Sequence, residues 1–179
     1  MLEDELLKWK LRRGSKDALA QVYEKYVDPM LTLAMGLLND KAAAEDVVQD
    51  VFLSFARSAR NLNAHGNLRS YLMTSVLNRV RDRRRQRQRQ AGKDAEPCIS
   101  TEAAGPDEAA ILVEETTRLN HAVAKLPDEQ REVVLLRLKA KMKFRDIARL
   151  QQTSVSTVLG RYRYGLDRLR SLLNGEANR

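Results

Sequence analysis

The sequence predicts an all-α fold: two small helical domains joined by a flexible linker, the second containing a helix-turn-helix. Three observations carry that prediction. Leu and Ala dominate the apolar residues and aromatics make up only 5% of the chain, which favours helix over sheet. Apolar residues recur at spacings of three and four, and no segment has the alternating or continuous β-branched pattern of a strand. The periodicity then disappears from Gln86 to about Asp107, where Gly92, Pro97, Gly105 and Pro106 punctuate a polar stretch whose ends are compatible with helix. The resulting division is a first domain over 1–86, a linker over 87–108 and a second domain over 109–179.

In the first domain, Leu6, Leu7 and Leu11, then Leu19, Val22, Tyr23 and Tyr26, mark two amphipathic segments on either side of Arg13-Gly14-Ser15. Ser15 is placed to cap the second. Pro29 suits a first helical turn and opens the apolar run Met30 to Leu38, which Asn39 and Asp40 end. Next, AAAEDVVQDVFLSF sets Val47, Val48, Val51, Phe52 and Phe55 on one buried stripe and Asp46, Gln49 and Asp50 together on another face. In a basic protein that acidic patch is either a contact for a cationic protein surface or an ordinary solvated helix face. Arg57 to Asn67, with Asn61, Asn63, His65 and Gly66, is a loop by composition.

A further helix follows, with Leu68, Leu72, Val76 and Val80 on its apolar side and Tyr71, Ser75, Asn78 and Asp82 along a polar one. It ends in seven arginines against one acid between Arg79 and Arg89. Such a cluster repels itself on a free surface, and polyphosphate is its natural counter-charge; a basic tail is the plainer alternative.

Beyond the linker, Ile111, Leu112, Leu119, Ala122, Val123 and Leu126 form another apolar pattern. Pro127 restarts the helix, with Asp128 and Glu129 suited to its first turn and Val133, Val134, Leu136 and Leu138 to its buried side. Two more helices follow between Phe144 and Arg170. Gln152, Thr153 and Ser154 break them, and Ser154 is placed to accept the amide of Ser156 or Thr157 as an N-cap. Four helices are thus predicted in this half. The last presents Ser156, Thr157, Gly160, Arg161 and Arg163 off its apolar stripe, small or cationic groups suited to a phosphate-lined groove. A helical hairpin with a solvated basic face is the alternative.

A formal charge of +8 over 179 residues points to an anionic partner, nucleic acid or a membrane surface. No apolar run approaches the roughly 20 residues that span a bilayer, and Glu3, Asp4 and Glu5 do not suit a signal peptide. The single Cys98 and the distant His65 and His121 offer neither an intramolecular disulfide nor a metal cluster. No cofactor is expected, and a cytoplasmic setting fits.

The order of motifs resembles the extracytoplasmic-function (ECF) sigma factors of bacterial RNA polymerase. The matching blocks are Leu6 to Tyr26, AEDVVQDVF at Ala44 to Phe52, LRSYLMTSVLNRVRDRRR at Leu68 to Arg85, LPDEQREVVLLRL at Leu126 to Leu138, and the final helix-turn-helix. The resemblance implies a factor without catalytic activity that binds core RNA polymerase, recognises promoter DNA, helps to open it and answers to an anti-sigma protein. By position, Asp46, Gln49 and Asp50 would bind the polymerase clamp. Asn61 to Gly66, including Asn63, would hold an extruded base of the minus-ten element, whose unpairing costs a few kcal/mol. Tyr71, Asn78, Arg79, Arg81, Asp82 and Arg83 would lie along the same strand, and Ser154, Ser156, Thr157, Arg161 and Arg163 would read the minus-thirty-five element.

The chain also departs from that pattern. Tyr71 stands where the family commonly has Trp, Thr74 and Leu77 where basic residues are frequent, Gln152 where Gly is usual in the turn, and Leu159 where Lys is usual. Gln152 in a left-handed conformation costs about 1 kcal/mol. Leu159 followed by Gly160 removes a phosphate contact, sets a small residue against the DNA and implies an atypical promoter sequence. The rival reading is a stand-alone helix-turn-helix regulator of duplex DNA, which needs neither the acidic patch nor the arginine-rich helix. An enzyme acting on nucleic acid is a third, but the clustered carboxylates or histidines that metal or acid-base work requires are missing from the pattern.

Overall fold

The structure, a computed structural model, describes residues 2–61, 67–91 and 109–177. Packing divides the chain into two compact units, Met1–Glu96 and Pro97–Arg179. All regular structure among the described residues is helical. None of the described helices is long and apolar enough to cross a membrane.

In the first unit, α1 (Leu2–Arg12), α2 (Lys16–Leu38), α3 (Lys41–Ser58), a 3-10 turn (Ala59–Asn61) and α4 (Leu68–Ala91) follow one another. The turn into α2 needs Gly14, whose φ of +77° is cheap only without a Cβ. Ser15 caps α2 by accepting the Ala18 amide at 3.2 Å. Asn39 ends it in a left-handed conformation, and Asp40 starts α3 by accepting the Ala43 amide at 2.9 Å. Three helices meet in the core through Val22, Met30, Leu33 and Leu37 of α2, Val47, Val51 and Phe55 of α3, and Leu68, Leu72, Val76 and Val80 of α4.

Pro29 does not start a helix; it lies inside α2. An interior proline removes one backbone hydrogen bond and costs about 3 kcal/mol. The continuous buried stripe Val22, Tyr26, Met30, Leu33 and Leu37 spans it on both sides, and that packing holds the helix through the defect. Helical structure likewise reaches Asn61, beyond the start of the loop expected at Arg57, with Ala59 buried. In α1, Leu7 and Leu11 are buried whereas Leu6 is exposed. Tyr26 donates to Asp4 at 3.0 Å, and Lys25 bonds both Glu3 and Asp4, so α1 is tied to α2. Burial opposes the charge on Asp4, but these bonds outweigh it and hold the carboxyl below its ordinary value. Burial and the Asp4 carboxylate push the Tyr26 phenol up to about 12.

The polar stretch 92–108 of the linker lies outside the described residues; residues 87–91 continue α4.

The second unit comprises α5 (Ala109–Ala124), α6 (Asp128–Leu138), α7 (Phe144–Leu150) and α8 (Val155–Ala177). Ala122, Val123 and Leu126 meet Val133, Val134 and Leu136, Ile147 and Ala148, and Val158 and Leu169 in its core. Leu119 and Leu138, both assigned to apolar stripes by periodicity, are exposed instead. Arg131 donates to the carbonyls of Ala124 and Leu126, closing the α5–α6 turn around Pro127. At Gly165 a Cβ would stand 2.9 Å from the Val134 side chain, so glycine is what lets α8 approach α6 so closely.

Candidate nucleic-acid interface

Two surfaces carry the residues singled out by sequence, one in each unit.

In the first unit, a groove of about 470 Å³ runs between α3 and α4, lined in part by Asp50, Tyr71, Ser75, Asn78, Arg79 and Asp82. Helical spacing explains the α4 side, because positions 71, 75, 78 and 82 fall along one face. Asn67 fixes the start of that helix, its side chain accepting the Arg69 amide at 2.8 Å. The Tyr71 ring stands 6.1 Å from Phe55 and remains partly exposed, so its free side offers a flat apolar face. From α3 come Leu53, Ser54 and Arg57, which the sequence reading does not single out. The signal exists: Asp50, Leu53, Ser54 and Arg57 recur at three- and four-residue spacing on an exposed helix face.

Not every predicted residue joins this groove. Asn61 is exposed in the 3-10 turn, while Asn63 and the rest of the expected base-holding loop, 62–66, lie outside the described residues. Arg81 falls on the other flank of α4 and is half-buried, and Leu77, set by the family pattern at a basic position, is fully buried in the core.

The arginine cluster finds counter-charge inside its own unit. Arg79 donates to Asp50 at 2.6 Å and Arg83 to Asp46 at 3.0 Å, and Arg87 lies 3.5 Å from Asp40. Arg84 donates to the Leu37 carbonyl, satisfying the C-terminal end of α2. Asp40, which caps α3, and the acids Asp46 and Asp50 within it thus form an antiparallel ladder with the arginines of α4. Sequence shows each set as a patch of one sign; packing brings them together. Gln49 is exposed beside the ladder. Ion pairs this exposed contribute about 0 to 1 kcal/mol each, so the ladder is exchangeable rather than a structural necessity.

In the second unit, α7, the turn at Gln151 to Ser154 and α8 form the helix-turn-helix. Gln152 takes φ +52°, the left-handed conformation expected of it. Ser154 accepts the Thr157 amide at 3.0 Å, and its hydroxyl lies 2.7 Å from that of Ser156. Phe144 packs edge-on against Tyr162 with ring centroids 5.3 Å apart, which fixes the angle between the helices.

Arg161 and Arg163 differ in environment. Arg161 donates to Gln151 at 2.8 Å and lies 3.6 Å from Glu129, while Gln151 donates to the buried Glu132 at 3.1 Å. It thereby ties α8 to the turn and to α6. Arg163 points into solvent on the same side as Ser156 and Gly160. The first two turns of α8 present Val155, Ser156, Leu159 and Gly160 outward, with Thr157 exposed at one edge.

A grooved helical unit with an aromatic face and arginines, together with a helix-turn-helix unit whose last helix carries exposed small and basic residues, defines a DNA-recognition protein of two parts. Family models match both: sigma-70 region 2 over residues 22–90 and sigma-70 region 4 over residues 116–168. The chain is 24% identical over 173 residues to the ECF RNA polymerase sigma factor SigW of Bacillus subtilis, covering 91% of this chain and 92% of that protein. It is 29% identical over 165 residues to the ECF RNA polymerase sigma factor SigK of Mycobacterium bovis, covering 88% and 84%. In fold it is similar to CnrH, solved in complex with the cytosolic domain of CnrY, with a TM-score of 0.72, 23% identity and coverage of 96% and 97%. It is also similar to the sigma factor RpoE of Bartonella quintana, solved with the anti-sigma factor NepR, with a TM-score of 0.73, 22% identity and coverage of 89% and 98%. The chain belongs to the sigma-70 family, as an ECF sigma factor. The match across both units disfavours a stand-alone regulator.

Proposed function

We propose that this sigma factor binds core RNA polymerase through the exposed face of α3 and melts the minus-ten element along the α3–α4 groove. The single observation that carries this reading is the groove itself. It sets Tyr71, Asn78, Arg79 and Asp82 beside Asp50, so a strand-binding face adjoins a polymerase-binding face. Tyr71 supplies a stacking surface for an unpaired base, worth about 1 to 3 kcal/mol. Asn78 and Asp82 supply hydrogen-bonding groups, and the arginines meet phosphate. Asn61 and Asn63 receive the extruded base, and Arg81 and Arg83 flank the strand.

The ladder gives this arrangement a consequence. A cationic polymerase surface that takes Asp46 and Asp50, with Gln49 beside them, competes with Arg83 and Arg79 for the same carboxylates. Polymerase binding and arginine release to DNA are then linked. The second unit reads the minus-thirty-five element through Ser154, Ser156, Thr157 and Arg163, with Arg161 holding the reading helix in position. In this reading the functional division follows 1–86, 87–108 and 109–179, and phosphodiester chemistry stays with the polymerase. The protein acts in the cytoplasm and is held inactive by an anti-sigma protein, which the complex solved for RpoE with the anti-sigma factor NepR supports by analogy.

The test is run-off transcription by bacterial core polymerase on a genomic promoter library, with and without this chain. Chain-dependent starts that share two spaced elements are the expected result. Starts that persist when Tyr71 is replaced by Ala and Asn78 by Ala, with unchanged open-complex lifetimes, would exclude the groove as the strand-binding surface.

A further inference from the structure

The reading face of α8 is unusual in being apolar along one edge. Val155 and Leu159 are each 42% exposed. They are four residues apart, so they stand on one line of the helix, and Arg163 continues that line by one more turn. Beside this line, Ser156 and Gly160 leave a shallow notch. A Cβ at Gly160 would meet nothing nearer than Tyr164, at 4.0 Å. The notch lets the backbone approach an opposing surface closely, and the apolar edge then lies against whatever it meets.

The occupant has to be anionic overall yet carry discrete apolar points. Residues 109–177 hold thirteen Lys and Arg against eight Asp and Glu, an excess that a second basic or neutral protein surface does not match. Duplex DNA meets both requirements. Its major groove admits an α-helix, and among the base edges exposed there the thymine C5-methyl group is the apolar contact. We infer that Val155 and Leu159 read thymine methyl groups in the upstream promoter element. Four residues of helix rise about 6 Å, close to two base-pair steps at about 3.4 Å each. The two side chains therefore address two thymines about two steps apart, while Arg163 holds the neighbouring phosphate. This deepens the assignment of the upstream element to α8 and rests on it.

Replacing thymidine by deoxyuridine deletes the methyl group and leaves the Watson-Crick pairing unchanged. Holoenzyme reconstituted from core polymerase and the full chain is assayed for open-complex formation, at limiting holoenzyme, on a responsive promoter. Each thymidine of the upstream element is replaced in turn, on either strand. The expected result is a loss of about fourfold at each of two positions, the effect of one buried methyl group. Leu159→Ala should abolish the loss at one position and Val155→Ala at the other, whereas Arg163→Ala should leave both losses in place. Both apolar residues are exposed, so their variants retain the fold. Deoxyuridine tolerated at every position, or a penalty of full size in both Ala variants, would overturn the inference. A fully scrambled upstream element separates the two levels: if scrambling has no effect, the assignment of α8 to that element falls and the inference with it. If scrambling is costly but deoxyuridine is not, only methyl recognition falls.

Discussion

The two units carry their candidate DNA-binding residues in different electrostatic settings. In the first, acids of α3 and its N-cap and arginines of α4 neutralise each other across Asp46–Arg83, Asp50–Arg79 and Asp40–Arg87. In the second, the outward face of the first two turns of α8 is mostly small or apolar, with Arg161 turned back onto Gln151. The difference teaches that a basic composition says little about which charges are available. Charges already paired need a competitor to free them, whereas an uncharged face recognises shape and methyl groups directly.

The sharpest way to break this comparison is to reverse the acids. Asp46→Arg with Asp50→Arg should weaken binding to core polymerase about a hundredfold, since a like charge at a matched interface costs several kcal/mol. The fold should survive, because the exposed pairs it disrupts are individually weak. The swapped variant Asp50→Arg with Arg79→Asp restores the internal pair with its sign order inverted. If polymerase affinity returns with the swap in a fluorescence titration, Asp50 serves the fold and not the clamp.

Within the second unit, two glycines of α8 contrast packing with recognition. Gly165→Ala should destabilise the unit by about 1 to 2 kcal/mol, overpacking against Val134 outweighing the gain in helix propensity. Gly160→Ala should stabilise it by up to about 1 kcal/mol but weaken promoter discrimination by filling the notch. Urea melts of the full chain, followed by helical circular dichroism, check the first pair of values. Footprinting of the upstream element checks the last.

The two arginines come next. Arg161→Ala should cost about 0.5 to 1.5 kcal/mol of stability through its lost hydrogen bond, a change visible in the same melts. Arg163→Ala should leave stability unchanged and reduce the salt slope of promoter binding by about 1. Equal melts for both variants would show that the Arg161 tether is dispensable.

The smallest effect belongs to Asp4. Its folded pKa lies below the ordinary 3.8, so its contribution is complete above that value and fades as pH falls through the lowered one. Hydrogen exchange should show α1 loosening from α2 in acid, and Asp4→Asn should flatten that dependence. Loosening of equal size in the Asn variant would place the acid sensitivity elsewhere.

Much of this was legible in sequence because it is local. Ser15 and Ser154 are caps set by one turn of chain, Gln152 takes the conformation its turn demands, and the spacing of Leu68, Leu72, Val76 and Val80 selects the buried side of α4. Positions 71, 78 and 82 share a face by the same periodicity, whatever surrounds them. Leu119 and Leu138 show the limit of periodicity, which orders residues around a helix but not the width of the partner covering them. Pro29 shows it too: its local rule starts a helix, and the packed stripe on either side overrides the rule.

By itself, then, the sequence determined the helices, their inward faces and the order of blocks that marks the family, since each depends on residues a few positions apart. Only the tertiary structure decided which charges are spent on one another. Asp50 and Arg79 are 29 residues apart, and Asp46 and Arg83 are 37. A Coulomb interaction depends on distance in space, and folding, not spacing along the chain, sets that distance.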